Sequence, residues 1–316
     1  MGKGFLYGNS GNGGSSGGTL TVTAPAGVTV TVSKEGKTYT KTADSSGQAV
    51  FKGLASGIWT VTITDGSQTS SKSVEVTTDY ETVMSFNTIP SFTYTGDYEI
   101  VDDEDNPITV SSGNWKIRFL TSGTLTFSDL NGADGGIDVF LVGGGGASGN
   151  DLGGGGGGGY TNTAKGVSVV AGTEYSIVVG AGGSVSTTKG GTGAGGGVTS
   201  AFDVMAKGGS GGKGYTNCSG GNGGSGGSAG VDASGGTDGG DGKTKGSLGS
   251  AGKGQGSTTR EFGLSDGTLY SSGGSGTGAA SGVANTGDGG SNGRSNSAGG
   301  SGGSGIVIIR NAREVE

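Results

Sequence analysis

The chain has 316 residues, of which 81 are glycine, three proline, one cysteine and none histidine, and its formal net charge is −7. Lys and Arg are scattered singly with no basic stripe, and no apolar run approaches bilayer length, so neither nucleic-acid binding nor membrane insertion is expected. Without histidine, no Ser-His-Asp or Cys-His arrangement can be built, and an enzyme is the least expected class.

The opening residues, MGKGFLYG, contain no apolar core of a secretory signal, and Leu6 stands where myristoylation requires Ser or Thr. Cys218 is alone, so no internal disulfide forms, and synthesis in a cytoplasm is expected. Residues 1–18 read as a flexible Gly/Ser-rich lead. Residues 19–88 then alternate β-branched and polar residues with period two, the pattern of strands. Predicted strands are Leu20–Val22, Val28–Val32, Lys37–Thr42, Gln48–Phe51, Ile58–Thr64, Lys72–Thr77 and Tyr80–Phe86. Turns are marked by Pro25-Ala-Gly27, Glu35-Gly36, Ser46-Gly47 and Asp65-Gly66. That many short strands in so few residues predict a small β-sandwich.

The run GTLTVTAPAGVTVTVS, the segment Gly47–Leu54 and the segment Gly57-Ile-Trp59-Thr-Val61-Thr resemble carboxypeptidase-regulatory-like and PEGA-type sandwiches. The resemblance implies a spacer or a carbohydrate- or protein-facing module without catalysis.

Residues 89–142 carry longer predicted strands at Phe92–Val101, Trp115–Leu120, Thr124–Phe127 and Asp138–Val142. The acidic Asp102–Asp105 with Asn106-Pro107 reads as an exposed turn. From Gly143 to Gly305 the sequence changes character. Three-quarters of the glycines fall here and none of the prolines, with a predicted strand at Thr173–Val179. Ordering glycine costs roughly 0.5–1 kcal/mol more than ordering alanine in regular structure. A tract with so few apolar side chains must therefore be held by its own backbone. Collagen is excluded, because the glycines keep no period of three and proline is absent. A flexible linker is a poor match, since Tyr160, Tyr175, Phe202, Met205, Tyr215 and Phe262 recur through it. The remaining ordered form is a bundle of extended three-fold glycine helices. Their N–H and C=O groups pair between chains in several directions, at about 1 kcal/mol net per bond. Ile306–Arg310 is a strongly apolar strand, expected to share a sheet with Asp138–Val142 and to clamp both ends of the excursion.

The series NWKIRFLTSGTLTF, DVFLVGGGGASG, GGGGGGGYT, GTEYSIVVGAGG, TTREFGLSDGTLYSSGG and GGSGIVIIR resembles the glycine-rich domain of phage tail and adhesin proteins, over residues 92–310. A related domain occurs in the ectodomain of anaplastic lymphoma kinase and its relatives. With the small N-terminal sandwich read above, the expected fold is all-β, and the resemblance concerns the domain spanning 89–316. In that domain a β-sandwich base (89–142 and 305–316) carries a polyglycine II bundle (143–304). In T-even-type adhesins the loops at the far end of the bundle touch the bacterial receptor. This chain departs from those adhesins in carrying a sandwich ahead of the glycine-rich domain.

Other motifs carry little. Cys218 has no basic partner in sequence and reads as a small packed residue. The sequon at Asn217 has meaning only after secretion. Gly239–Thr244 is not a phosphate loop, because Thr237 stands where the first glycine is required and no apolar strand precedes it. Gly235–Gly242 resembles the calcium-binding nonapeptide but lacks its second glycine spacing and occurs once, where several stacked copies are needed, so its acids read as solvated. Glu99 and Asp102–Asp105 read as surface turn acids rather than a glycosidase pair. No cofactor or metal is expected.

Phe262, Leu264, Leu269 and Tyr270 are expected to plug one end of the glycine bundle, with receptor contact as the competing role. Tyr215, Asn217, Asp232, Thr237, Asp238, Asp241 and Lys243 sit between glycine runs, at reversal-loop positions, and are the candidate receptor contacts. The expected function is a virion structural protein of a phage tail, as fibre or tip adhesin. Its N-terminal region would bind other tail proteins and its far loops a glycan or protein of the bacterial surface. The alternatives are a cell-surface or secreted ligand-binding module of the kinase-ectodomain type, and a purely structural virion decoration. An ice-binding bundle is disfavoured by the irregular spacing.

Overall fold

The computed structural model describes residues 7–8, 17–65, 68–85, 89–111, 113–130, 133, 136–215, 217–228, 259–275, 278–292 and 298–313. The described residues are all-β, and their helical structure is limited to a 3₁₀ turn around Glu261–Gly263. The chain forms two compact units. The first is Met1–Ser91 with Ile100–Trp115 and Leu130–Asp134, and the second is Phe92–Glu99, Lys116–Asp129 and Gly135–Glu316.

The first unit contains β1 (Tyr7–Gly8), β2 (Gly18–Thr23), β3 (Thr29–Lys34), β4 (Lys37–Thr42), β5 (Gln48–Leu54), β6 (Gly57–Asp65), β7 (Gln68–Val76) and β8 (Tyr80–Ser85). They make two sheets, ordered β1-β8-β2-β5 and β4-β3-β6-β7. Period-two alternation points Leu20 and Val22 of one sheet, and Val30, Val32, Trp59, Val61 and Ile63 of the other, into one shared core. The sandwich follows from that shared core. The β3–β4 hairpin turns on Glu35 and Gly36, both at positive φ (48° and 80°). That geometry matches strand twist, and Gly36 adopts it without steric cost. Part of the expected flexible lead is strand: Tyr7–Gly8 pairs with β8, occupying N–H and C=O groups that an open edge leaves bare.

The second unit is built on β9 (Phe92–Tyr94), the first half of β10 (Tyr98–Val101), β11 (Lys116–Phe119), β12 (Gly123–Phe127), β13 (Ile137–Val142), β14 (Thr161–Val167), β15 (Glu174–Ile177), β16 (Thr199–Ala201), β17 (Val204–Ala206) and β18 (Ile306–Asn311). Sheets of order β10-β11-β18-β13-β14 and β15-β12-β9 form its base, with β16–β17 as a hairpin. β13 and β18 pair antiparallel from Ile137↔Asn311 to Val142↔Ile306, so the strands that bracket the glycine tract clamp it as expected. Alternation divides the larger sheet into two faces. Ile117, Phe119, Val139, Leu141, Val307 and Ile309 share one face, where Tyr94 of the smaller sheet meets Phe119 at 4.7 Å between ring centroids. The strand expected over Phe92–Val101 is two strands in different sheets. Thr95–Asp97 is pinned out of line by Thr121, whose Oγ1 accepts from the Asp97 N–H at 2.8 Å, and by the Leu120 N–H, which donates to the Asp97 carbonyl.

From Gly143 the backbone becomes a three-fold helix, and the hydrogen bonds show it directly. The N–H groups of Gly143, Gly146 and Gly149 donate to Tyr160, Gly157 and Gly154. Those of Gly144, Ala147 and Asn150 donate to Gly197, Ala194 and Gly191, and those of Gly145 and Ser148 to Gly303 and Gly300. Successive donors thus rotate among three neighbouring segments, and each partner series descends in sequence, so these neighbours run antiparallel. The carbonyls rotate likewise: Gly144 and Ala147 accept from Gly209 and Gly212, Gly145 from Gly183, and Gly146 from Gly290. Segment 143–150 therefore has six bonded neighbours, the packing expected of polyglycine II. Segment 154–160 repeats the arrangement, donating to 207–213, 225–228 and 287–290.

Glycine is required by distance here. A β-carbon on Gly145 would fall on the Asp288 carbonyl, and one on Gly156 on that of Gly146, far inside the 3.0 Å that real β-carbons keep.

Candidate functional site

The bundle has a near end, against the base, and a far end. Segment 143–150 leaves β13, the chain reverses at Asp151 and Leu152, and 154–160 returns to β14. The reversal uses positive φ at both residues (54° and 62°). Loops 184–191 and 213–219 reverse at the same far end. Asn150 ties the first two loops together, since its Nδ2 donates to the carbonyls of Ser186 and Thr188, each at 3.2 Å. Lys189 Nζ lies 4.0 Å from Asp151 Oδ2, the lysine exposed and the aspartate buried. The third loop joins through Gly154, whose N–H donates to the Lys213 carbonyl at 2.8 Å.

Tyr215 stands in this third loop with more than half of its surface exposed (58%). Its backbone is fixed on both sides. The N–H groups of Asn217 and Cys218 donate to the Gly214 carbonyl at 3.0 and 2.8 Å, and Cys218 Sγ donates to the Tyr215 carbonyl at 2.9 Å. Gly190 lies against it, so that a β-carbon there would come within 3.3 Å of Tyr215 Cβ. Asn217 is exposed, and its Oδ1 accepts from the Ser219 hydroxyl at 2.5 Å. Cys218 is buried at positive φ and serves the turn, in keeping with its expected packing role.

Of the candidate receptor contacts, Tyr215 and Asn217 lie together at this far end. Asp232, Thr237, Asp238, Asp241 and Lys243 lie outside the described residues. The sequence reading missed Asn150, Asp151, Ser186, Thr188 and Lys189 at the same end. The signal was available for the first two, since Asn150-Asp-Leu152 interrupts two glycine runs where a reversal is needed.

The apolar group near residue 262 behaves differently from expectation. Phe262 and Tyr270 are buried, whereas Leu264 and Leu269 are exposed. The buried pair seals the second face of the five-stranded sheet instead of an end of the bundle. Phe140 packs against Phe262 and Tyr270, at 5.7 and 5.5 Å between centroids. The sheet face offers more room for aromatic rings than a bundle whose chains are separated by glycine alone.

The same lid covers a group of charges that the sequence did not reveal. Arg310 and Asp138, opposite each other in the β13–β18 register, form a buried ion pair with Nε and a terminal nitrogen both 3.1 Å from Oδ2. The Arg310 guanidinium stacks 4.0 Å above the Phe262 ring. Glu261 receives Lys116 Nζ at 3.0 Å, Arg118 at 3.9 Å and the Tyr270 hydroxyl at 3.3 Å. Buried charges satisfied this way anchor a lid in one register. They lie on the sheet face that carries Phe140 and Ile308.

A protein-family model described as a glycine-rich domain matches residues 120–312, a span that runs from just before β12 through the bundle to the end of β18. No curated protein matches the chain.

Proposed function

Because the chain belongs to the glycine-rich domain family, we propose that it is a non-enzymatic protein of a phage tail, a fibre or tip adhesin, whose far-end loops bind a component of the bacterial surface. The observation that carries this reading is the three-fold rotation of hydrogen bonds along 143–150. Together with the side-chain ties of Asn150, Asp151 and Cys218, it holds the loops at 150–153, 184–191 and 213–219 in place. Loops already fixed lose less entropy on binding. Several copies on one particle would turn individually weak contacts into firm attachment. The N-terminal sandwich suits attachment to other tail proteins, which leaves the glycine-rich unit to face the host. The motif series from NWKIRFLTSGTLTF to GGSGIVIIR supports the phage assignment by resemblance.

The test uses purified full-length protein on a panel of bacterial strains. Labelled protein is expected to decorate the cells of the phage's host, and replacement of Lys213–Asn217 by a Gly-Ser sequence is expected to abolish decoration while preserving the melting temperature. Antibody labelling of virions is expected to mark the tail. Decoration of no bacterium, together with labelling absent or confined to the capsid interior, would refute the proposal.

A further inference from the structure

The far-end loops carry a chemical bias that narrows the ligand. A protein-binding surface has a core of clustered aromatic and aliphatic side chains. Among the described residues of the far-end loops, Tyr215 is the one large apolar side chain that is mostly exposed; the other exposed ones of this unit lie outside those loops. The other exposed or half-buried residues of the two loops are mostly short and polar (Asn217, Ser219, Ser186, Thr187 and Thr188), with Lys213 and Lys189 as the charged ones. Lys189, which crosses this surface, already has Asp151 at 4.0 Å.

These groups are also held still. Ser186 and Thr188 bond to each other, the Thr188 N–H donating to Ser186 Oγ at 3.1 Å, and Asn150 fixes both of their carbonyls. The Ser219 hydroxyl engages Asn217 Oδ1, so the Nδ2 hydrogens are the donors this exposed amide offers. The Tyr215 ring rests on a turn closed by Cys218, against a glycine. One rigid aromatic face in loops whose exposed groups are mainly neutral donors and acceptors complements a molecule with an apolar flat side and a hydroxylated edge. A pyranose has both: axial C–H groups that stack on an aromatic ring and hydroxyls that reach amides and hydroxyls beside it.

We propose, resting on the surface-binding reading above, that the Tyr215 loop with loop 184–191 forms a glycan-binding subsite, with Tyr215 as the stacking platform and Asn217 as a hydrogen-bonding partner. The ligand is a surface polysaccharide of the bacterium, not an outer-membrane protein.

The experiment measures binding of the full chain to responsive host cells that are untreated, stripped with protease, or treated with periodate to cleave sugar diols. The chain and its Tyr215→Ala and Tyr215→Phe variants are also titrated with polysaccharide purified from those cells. Binding is expected to survive protease and to be lost after periodate. Tyr215→Ala is expected to weaken polysaccharide binding about tenfold and Tyr215→Phe to retain most of it. Both variants should melt as the parent does, because the ring is largely in solvent. Loss after protease with survival after periodate would overturn the glycan assignment and leave surface binding standing. Periodate-sensitive binding indifferent to Tyr215→Ala would remove the subsite from this loop. Binding to no cell under any treatment would refute both readings together.

Discussion

Glycine at position 156 is the sharpest place to ask whether the tract is a lattice. Its N–H donates to the Gly290 carbonyl and its own carbonyl accepts from the Gly274 N–H, both at 2.8 Å. In Gly156→Ala the new methyl would coincide with the Gly146 carbonyl, which is backbone and has no rotamer to give. Relief requires the 143–150 and 154–160 segments to part. Forcing a methyl into a packed interior costs roughly 1–3 kcal/mol, and loss of two bonds that join these segments, from the Gly146 and Gly149 N–H groups to the Gly157 and Gly154 carbonyls, adds about 1 kcal/mol each. The sum is about 3–5 kcal/mol, which for a unit of this size lowers the melting temperature by roughly 10 °C. Gly195 is the internal control. A β-carbon there meets nothing nearer than the Gly209 carbonyl at 3.3 Å, so Gly195→Ala is expected to change stability by less than about 0.5 kcal/mol. Scanning calorimetry of both variants, which reads the melting of the glycine-rich unit directly, gives the comparison. If Gly156→Ala and Gly195→Ala were alike, the reasoning from close backbone approach would be wrong.

Three further outcomes are expected. Ile308→Asp places a charge at a fully buried position between Phe140 and Arg118 in the sheet register and should cost several kcal/mol, read as loss of soluble folded protein or a large drop in melting. Arg310→Met leaves Asp138 charged without its partner and should cost about 3–5 kcal/mol, whereas Arg310→Met with Asp138→Leu should recover most of that loss in a double-mutant cycle. Tyr94 is pushed up to about 12 by burial and then by the charge of Asp97, so the fold favours its neutral form. Stability tied to it is complete below the ordinary tyrosine value near 10 and is lost as pH rises towards 12. A phenolate absorbance titration should show a late component that Tyr94→Phe removes.

The parts of the fold that were legible in sequence are those where one short-range rule acts alone. Period-two runs such as Thr29–Lys34 fall within a residue or two of the predicted strand, because each alternate residue meets the same core. The antiparallel clamp of Ile306–Asn311 on Ile137–Val142 was legible because both are apolar on both faces, which only a central strand tolerates. β14 escaped notice: Thr161–Val167 has no apolar period and is strand only because β13 offers it an edge. The Glu261 lid was equally hidden, since an acid between Arg260 and Phe262 looks like an exposed loop until Lys116 and Arg118 are brought to it from the far side of the sequence. At the far end, glycine runs announced where reversals fall, but not which reversals meet. Asn150 joins loop 184–191 through carbonyls, and carbonyls leave no trace in residue type.

Residue-resolved amide hydrogen exchange tests the central claim most directly, because the claim concerns where individual N–H groups of a glycine tract are bonded. The amides of 143–150 and 154–160 are expected to be protected to a degree comparable with β13 and β18, since each is bonded to a neighbouring segment of chain and all these residues but the half-buried Asn150 and Tyr160 are buried. Exchange of these amides at the rate of an unstructured chain, while β13 and β18 stay protected, would contradict the account: the glycines would then be a solvated excursion on a stable base, and no rigid far end would exist to present Tyr215.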